Sequence, residues 1–144
     1  QETGNVACGF LKGYGIKEGA VALSVAHDSH NIIVVGVNDE EMEFAVNSLI
    51  AQEGGIVLVK EGKVIEQMPM PIAGLMSDQS GEWVDEKLTS IHEKAYTELG
   101  ICGDVEPVMT LCFMSLAVIP EIKLTDMGLF DVTTFSFIPV EISR

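Results

Sequence analysis

The sequence predicts an α+β domain in which a mixed, largely antiparallel sheet packs against about three helices. Two pairs of short apolar runs are each joined by only a few residues, which favours pairing of neighbouring strands. Two longer segments repeat apolar residues at helical spacing, and a third segment is apolar almost throughout. Glycines and prolines separate these segments without any repeat or linker, so we expect residues 1–144 to form a single domain.

The first predicted element is a pair of buried strands over residues 19–26 and 31–37. Both are nearly continuous apolar runs, as expected for strands that are covered on both faces. Only residues 27–30 (HDSH) separate them, a length that suits a tight turn with both imidazoles on the same face of the pair.

A predicted helix over residues 38–53 follows these strands. Asn38 is its expected N-cap, and Glu41 occupies the position of a capping box. Gly54 and Gly55 end the helix. Its apolar stripe consists of Met42, Ala45, Val46, Leu49 and Ile50.

The second half of the chain carries the same kinds of signal. The dipeptide Glu61-Gly62 predicts a hairpin turn, and Pro69 ends the second strand of that hairpin. Gly100 ends one helix, and Pro120 ends another that is apolar almost throughout. The predicted elements are strands 55–60 and 63–68, an irregular segment 72–78, helices 82–99 and 107–120, and strands 129–132 and 134–140.

Composition excludes several classes of partner. Eight Lys+Arg against 22 Asp+Glu give a net charge of −14, whereas nucleic acids and anionic membranes are bound mainly by Lys and Arg. The apolar run of residues 108–119 is too short to cross a bilayer, which needs about 20 residues. Three cysteines without CxxC spacing indicate free buried thiols in a reducing compartment. We therefore expect a cytoplasmic protein with no nucleic-acid or membrane partner.

Five consecutive polar residues lie between the first two predicted strands, although a turn needs only about two. Imidazole and carboxylate are natural ligands of divalent metals, so His27, Asp28 and His30 are candidate catalytic residues. The two histidines are also candidate metal ligands, and Ser29 and Asn31 are candidate substrate contacts. The alternative is a polar turn whose side chains bond to the local backbone, because a metal needs three or four ligands.

A second candidate segment covers residues 70–78, where prolines and a glycine interrupt an apolar run that has no helical or strand period. It is suited to line a flat apolar pocket, with Met76, Ser77 and Asp78 as candidate substrate contacts. The alternative is a hydrophobic loop packed under a helix.

Five segments, in order along nearly the whole chain, resemble the C-terminal region of adenine deaminases in the amidohydrolase superfamily. They are residues 9–15 (GFLKGYG), 24–31 (SVAHDSHN), 35–39 (VGVND), 71–78 (PIAGLMSD) and 119–126 (IPEIKLTD). The resemblance implies hydrolysis of adenine to hypoxanthine and ammonia in purine salvage and adenine catabolism. It also implies a divalent metal, Mn²⁺ or Fe²⁺, which makes hydroxide available near neutral pH.

Amidohydrolases hold that metal in a (β/α)8 barrel with an HxH pair and further histidines, whereas this chain has no HxH and only three histidines. We therefore expect residues 1–144 to be the C-terminal domain of a longer enzyme, inactive by itself, with the catalytic metal bound mainly by a barrel outside this sequence. The expected role of residues 27–31 is to help close or complete the active site. The expected partners are adenine, the barrel of the same polypeptide and further copies in a homo-oligomer.

Two alternatives belong to other functional classes. One is a non-catalytic module that binds a metal or small molecule directly through His27 and His30. The other is a structural domain whose apolar surface forms a dimer interface.

Overall fold

The computed structural model describes residues 4–141 and confirms the α+β class. Its main sheet consists of β1 (Ala20–Leu23), β2 (Ile33–Gly36), β3 (Gly55–Lys60) and β4 (Lys63–Pro69). The strands lie in the order β2-β1-β3-β4, and every neighbouring pair is antiparallel. Central strand β1 is wholly buried and β3 almost so, because helices cover both faces of this sheet.

Helix α1 (Asp39–Ala51) covers one face of the main sheet. Asn38 caps it as predicted, because its side-chain oxygen accepts a hydrogen bond from a first-turn backbone N–H at 2.8 Å. Ala45 and Leu49 are buried against small and β-branched residues of β1 and β3. The prediction was wrong for Ile50, which is 58% exposed. It lies about 100° around the helix from Leu49, beyond the stripe that contacts the sheet.

Helices α2 (Gly81–Thr97) and α3 (Pro107–Cys112) cover the opposite face. Ile91 and Ala95 of α2 are fully buried there, as the helical spacing predicts. The prediction that the last helix continues to Pro120 was wrong, since α3 ends at Cys112 and turns follow. A continuous apolar run indicates burial but carries no helical period, and much of this run is half-buried in turns.

The C-terminal strands form a separate antiparallel sheet rather than an extension of the first one. It contains β5 (Ile122–Thr125), β6 (Gly128–Asp131) and β7 (Ser136–Ile138), of which only the last two are predicted by the sequence. The N–H of Leu124 donates to the carbonyl of Met114 at 2.9 Å and so ties this sheet to the segment after α3.

The main sheet has a loop end, from which both candidate segments leave. Leu23, the last residue of β1, pairs with Ile33 at the start of β2 and with Ile56 near the start of β3. The end of β4 lies beside the start of β3. Residues 24–32 and 70–78 therefore emerge at the same end of the sheet, although about 40 residues separate them in sequence.

The opposite end of the main sheet, the hairpin end, contains the turn between β3 and β4. Glu61 and Gly62 have φ angles of 52° and 67°, the conformation that a two-residue type I′ hairpin requires. Asn38 and the start of α1 lie at this end as well, and Glu41 Oε1 accepts a hydrogen bond from the N–H of Gly62 at 3.1 Å.

All three thiols are free, but their exposure differs from the prediction. Only Cys112 is buried, whereas Cys8 and Cys102 are exposed because they lie in segments outside the helices and strands. Within residues 4–141, none of the helices is both long enough and apolar enough to cross a bilayer.

Candidate functional site

Backbone hydrogen bonds hold the HDSH turn against the end of α3. The N–H of His27 donates to the carbonyl of Cys112 at 2.9 Å, and Ser115 Oγ lies 3.4 Å from the carbonyl of His27. Within the turn, the N–H of His30 donates to the carbonyl of Ala26 at 2.6 Å. The turn is therefore positioned from outside by residues that lie more than 80 positions later in the chain.

The two imidazoles of this turn lie together but in different surroundings. The ring of His27 is half-buried and stacks on Phe113, with ring centroids 4.9 Å apart and planes inclined by 19°. His30 is exposed and meets His27 edge-on at 5.9 Å. Asp28, Ser29 and Asn31 are exposed too, so four of the five predicted residues face the outside.

This geometry does not make a metal centre by itself. Across residues 4–141, no group of three or more His, Cys, Asp or Glu side chains is arranged to hold a metal ion. His27 and His30 could supply two ligands at most, fewer than the three or four that a zinc-like site requires. The divalent metal implied by the resemblance therefore does not fit a site built from these residues alone.

The segment of residues 70–78 combines exposed apolar groups with locally bonded polar ones. Met76 is 58% exposed, and it forms an isolated antiparallel bridge with Ile72. Ser77 Oγ accepts from the N–H of Gln79 at 3.1 Å, and Asp78 Oδ1 accepts from Gln79 Nε2 at 2.8 Å. Ser77 and Asp78 thus shape the approach to α2, while Met76 offers an open apolar surface.

Ser24 joins the two candidate segments. Its Oγ donates to the carbonyl of Gly74 at 2.5 Å and accepts from the N–H of Gly55 at 2.8 Å. The backbones cross closely here, because a Cβ on Gly54 would lie 2.6 Å from the Cα of Gly74. Ser24 lies in one of the five segments that carry the family resemblance, but the sequence does not predict its role, since a serine after an apolar strand has no distinctive local pattern.

The loop end can therefore cover a ligand with a mixed polar and apolar surface. The exposed His30, Asp28 and Asn31 offer hydrogen-bonding groups, and Met76 and Ile72 offer apolar area. A separate cleft of about 320 Å³ lies between α1 and the N-terminal segment, and none of the predicted site residues lines it.

The buried thiol near the turn is not suited to nucleophilic chemistry. Burial, with a further contribution from the nearby Glu106, raises the pKa of the Cys112 thiol. A raised pKa keeps the thiol protonated at neutral pH, whereas the thiolate is the reactive form. The contribution of Cys112 to the site is its carbonyl, which accepts from His27.

The strongest electrostatic cluster lies away from the loop end, between β4 and α2. Glu66 is 10% exposed and accepts hydrogen bonds from Lys87 at 2.8 Å, Ser90 at 2.5 Å and Lys94 at 2.9 Å. Burial alone would raise the pKa of Glu66, but these donors lower it to about 2. Both carboxylate oxygens of Glu66 have partners within the domain, which indicates a structural role.

Comparison with known proteins agrees with the resemblance seen in the sequence. The profile of a family described as the adenine deaminase C-terminal domain matches residues 1–136. Adenine deaminase 2 of Desulfotalea psychrophila is 75% identical over 141 residues, covering 98% of this chain and 24% of that protein. The adenine deaminase of Halalkalibacterium halodurans is 52% identical over 139 residues, covering 96% of this chain and 24% of its own length. The adenine deaminase of Bacillus velezensis is 48% identical over 136 residues, covering 94% and 23% respectively.

The chain thus spans about a quarter of the length of the curated relatives it matches.

Proposed function

The chain belongs to the adenine deaminase C-terminal domain family, and on that premise we propose that it serves an enzyme which hydrolyses adenine to hypoxanthine and ammonia. Its role there is to close or complete an active site that the rest of the polypeptide builds. The observation that carries this proposal is the convergence of residues 24–32 and 70–78 at one end of the main sheet, joined through Ser24.

The loop end has the chemistry that a lid over a purine needs. A purine is flat and apolar on its faces and has hydrogen-bonding groups on its edge, so it suits a surface with both characters. Met76 and Ile72 are suited to contact the ring face, and His30, Asp28, Ser29 and Asn31 to contact polar groups. His27, stacked on Phe113, is suited to position the turn and its neighbour His30.

The metal belongs to the remainder of the enzyme in this proposal. A divalent ion such as Mn²⁺ or Fe²⁺ would there make hydroxide available for attack on the purine. The described residues of this chain offer too few ligands for it, which is why neither His27 nor His30 is assigned as a ligand. A non-catalytic metal-binding module is disfavoured for the same reason.

We also propose a cytoplasmic location and an oligomeric state for the enzyme. Three free thiols, two of them exposed, suit a reducing cytoplasm, where an adenine deaminase would act in purine salvage and adenine catabolism. We propose a homo-oligomer as its assembled state, which light scattering on the full-length enzyme would test.

The decisive experiment replaces exposed residues of the turn in the full-length enzyme. His30→Ala and Asp28→Ala should each lower kcat/KM at least about tenfold, a loss of about 1.4 kcal/mol of transition-state stabilisation. Both side chains are exposed, so the melting temperature should stay within about a degree of the wild type.

Glu86→Ala provides the matched control, because Glu86 is an exposed carboxylate on α2 that lies outside the loop end. It should leave kcat/KM unchanged. Wild-type kinetics in both turn variants would remove this turn from the active site and with it the proposed role.

A further inference from the structure

The second sheet, β5–β7, has an apolar character on both of its faces. Leu124, Leu129 and Ile138 form one cross-strand row, and Lys123, Phe130 and Phe137 form the neighbouring row on the opposite face. A three-stranded sheet with two apolar faces needs a partner on each face to remove them from water.

The domain itself covers the first of these faces. A Cβ on Gly9 would lie 3.2 Å from Leu129 Cδ2 and 3.7 Å from Leu124 Cδ1, so the N-terminal segment packs directly on that row. Leu124 also lines the cleft beside α1. The part of this face around Leu124 and Leu129 is therefore covered within the domain, whereas Ile122 at its edge is 50% exposed.

The second face is open around β7, although Lys123 on β5 is largely covered within the domain. Phe130 lies at its centre, with the rings of Phe135 and Phe137 meeting it edge-on at 5.2 Å each. Phe135 is 77% exposed and Phe137 is 53% exposed, and Val140, two residues beyond β7, is 47% exposed. Clustered aromatic side chains at this exposure are typical of a contact surface rather than of a solvated one.

The buried ammonium of Lys123 requires a negatively charged partner at this face. It is only 8% exposed, yet its ammonium has only long contacts, at 3.5 Å to the carbonyl of Pro120 and 3.3 Å to that of Ile122. The ion pairs found within residues 4–141 do not include it, although 22 acidic residues are present in the chain. A buried ammonium is stable only with strong acceptors, and a carboxylate is the strongest available in proteins.

We propose that the face bearing Lys123, Phe130 and Phe137 is buried, in the full-length enzyme, against another part of the same polypeptide that presents apolar side chains and a carboxylate to Lys123. The length of the relatives and the charge of Lys123 indicate which part of the enzyme covers this face. Relatives that match over almost all of this chain are about four times longer, so three quarters of such an enzyme lies outside the domain. The proposal depends on this longer chain and is independent of where the HDSH turn lies.

Two substitutions in the full-length enzyme test this proposal, because each is expected to have little effect on an open face and a large one on a covered face. Phe135→Asn relieves a φ of 51°, which asparagine tolerates better than phenylalanine, but it also removes the edge-on contact with Phe130. These two effects oppose each other, so the variant should be close to neutral on an open surface. Lys123→Met replaces a buried ammonium with an apolar chain of similar length, which is also harmless unless a carboxylate partner is left unpaired.

On a covered face both variants remove contacts that hold the sheet to the rest of the enzyme. Amide hydrogen exchange in β6 and β7 should then become at least about tenfold faster, with a melting temperature lower by several degrees. Ile50→Asn is the control, since Ile50 is exposed on α1 and belongs to no aromatic cluster.

Exchange that is unchanged or slower in both variants would overturn the proposal. So would faster exchange accompanied by dissociation into smaller particles in light scattering, because that result assigns the face to a second copy. Neither readout uses turnover, so a failure here is distinguishable from a failure of the proposed role of the turn.

Discussion

The two ends of the main sheet are held in different ways. At the hairpin end, Glu61 and Gly62 form a turn between neighbouring strands, and Asn38 caps the helix that immediately follows it. At the loop end, Ser24 bonds to Gly55 and Gly74, which lie 31 and 50 residues away. The turn and the cap at the hairpin end are formed by neighbouring residues, although Gly62 and Lys60 also bond to Glu41 and Glu18. The meeting of the two candidate segments at the loop end depends on contacts between distant segments.

This difference indicates which contacts position the two candidate segments of the domain. Local turns and caps fix where elements begin and end, but they do not determine which loops meet. Long-range hydrogen bonds bring the HDSH turn beside α3 and residues 70–78 beside β1. Substitutions at the long-range contacts of the loop end should therefore cost more stability than equivalent substitutions in the local turn and cap of the hairpin end.

The largest expected contrast is between two glycines with left-handed backbones. A Cβ on Gly55 would lie 2.0 Å from the carbonyl oxygen of Met68, whereas a Cβ on Gly62 would meet nothing within 4 Å. Gly55→Ala must shift the backbone and should cost more than about 3 kcal/mol, while Gly62→Ala should cost only about 1 kcal/mol of conformational strain. Urea unfolding of the domain measures both free energies, and equal losses would contradict the comparison.

Between the two ends, the cluster around Glu66 provides a long-range contact that responds to pH. Because the pKa of Glu66 is lowered to about 2 in the folded state from an ordinary 4.5, its contribution is fully present above about pH 4.5. It is lost as the pH falls towards about 2. The size is at most about 3 kcal/mol, since the two lysines are partly exposed and screened.

Glu66→Gln should therefore lower the free energy of unfolding at pH 7 and differ progressively less from the wild type as the solution is acidified. Glu86→Gln removes one negative charge from the exposed side of α2 and serves as the control. A deficit in Glu66→Gln that stays constant between pH 7 and pH 2.5 would show that ionisation of Glu66 is not its source.

The sequence predicts the hairpin end well because its signals are local. The Asn38 cap, the Glu61-Gly62 turn and the buried positions Ala45 and Leu49 of α1 follow from spacing within one or two turns of chain. The second sheet is predicted only in part, because β5 carries Lys123 within a short strand and lacks a clear apolar alternation. The early end of α3 is missed since burial alone keeps the following residues apolar.

The sequence likewise predicts some features of the candidate site and not others. The density of polar residues identifies the HDSH turn, but nothing local predicts that His27 stacks on Phe113 while His30 stays exposed. Likewise, the apolar run containing Met76 can be recognised, whereas its attachment through Ser24 depends on a residue 50 positions from Gly74. Contacts of this separation have no periodic pattern in a single sequence.

The smallest contrast compares two polar side chains that each satisfy backbone groups, one at each end. Ser24→Ala leaves the N–H of Gly55 and the carbonyl of Gly74 without their partner in a partly buried site, and should cost about 2 kcal/mol. Asn38→Ala removes one exposed cap bond and should cost about 1 kcal/mol.

Because these two losses of stability lie close together, amide hydrogen exchange distinguishes the two variants more sharply. Ser24→Ala should speed exchange both at Gly55 and in residues 72–76, whereas Asn38→Ala should affect only the first turn of α1. If exchange in Ser24→Ala became faster only at residues close to Ser24 in sequence, other contacts would hold the two loops together. Ser24 would then not be a long-range contact that distinguishes the loop end from the hairpin end.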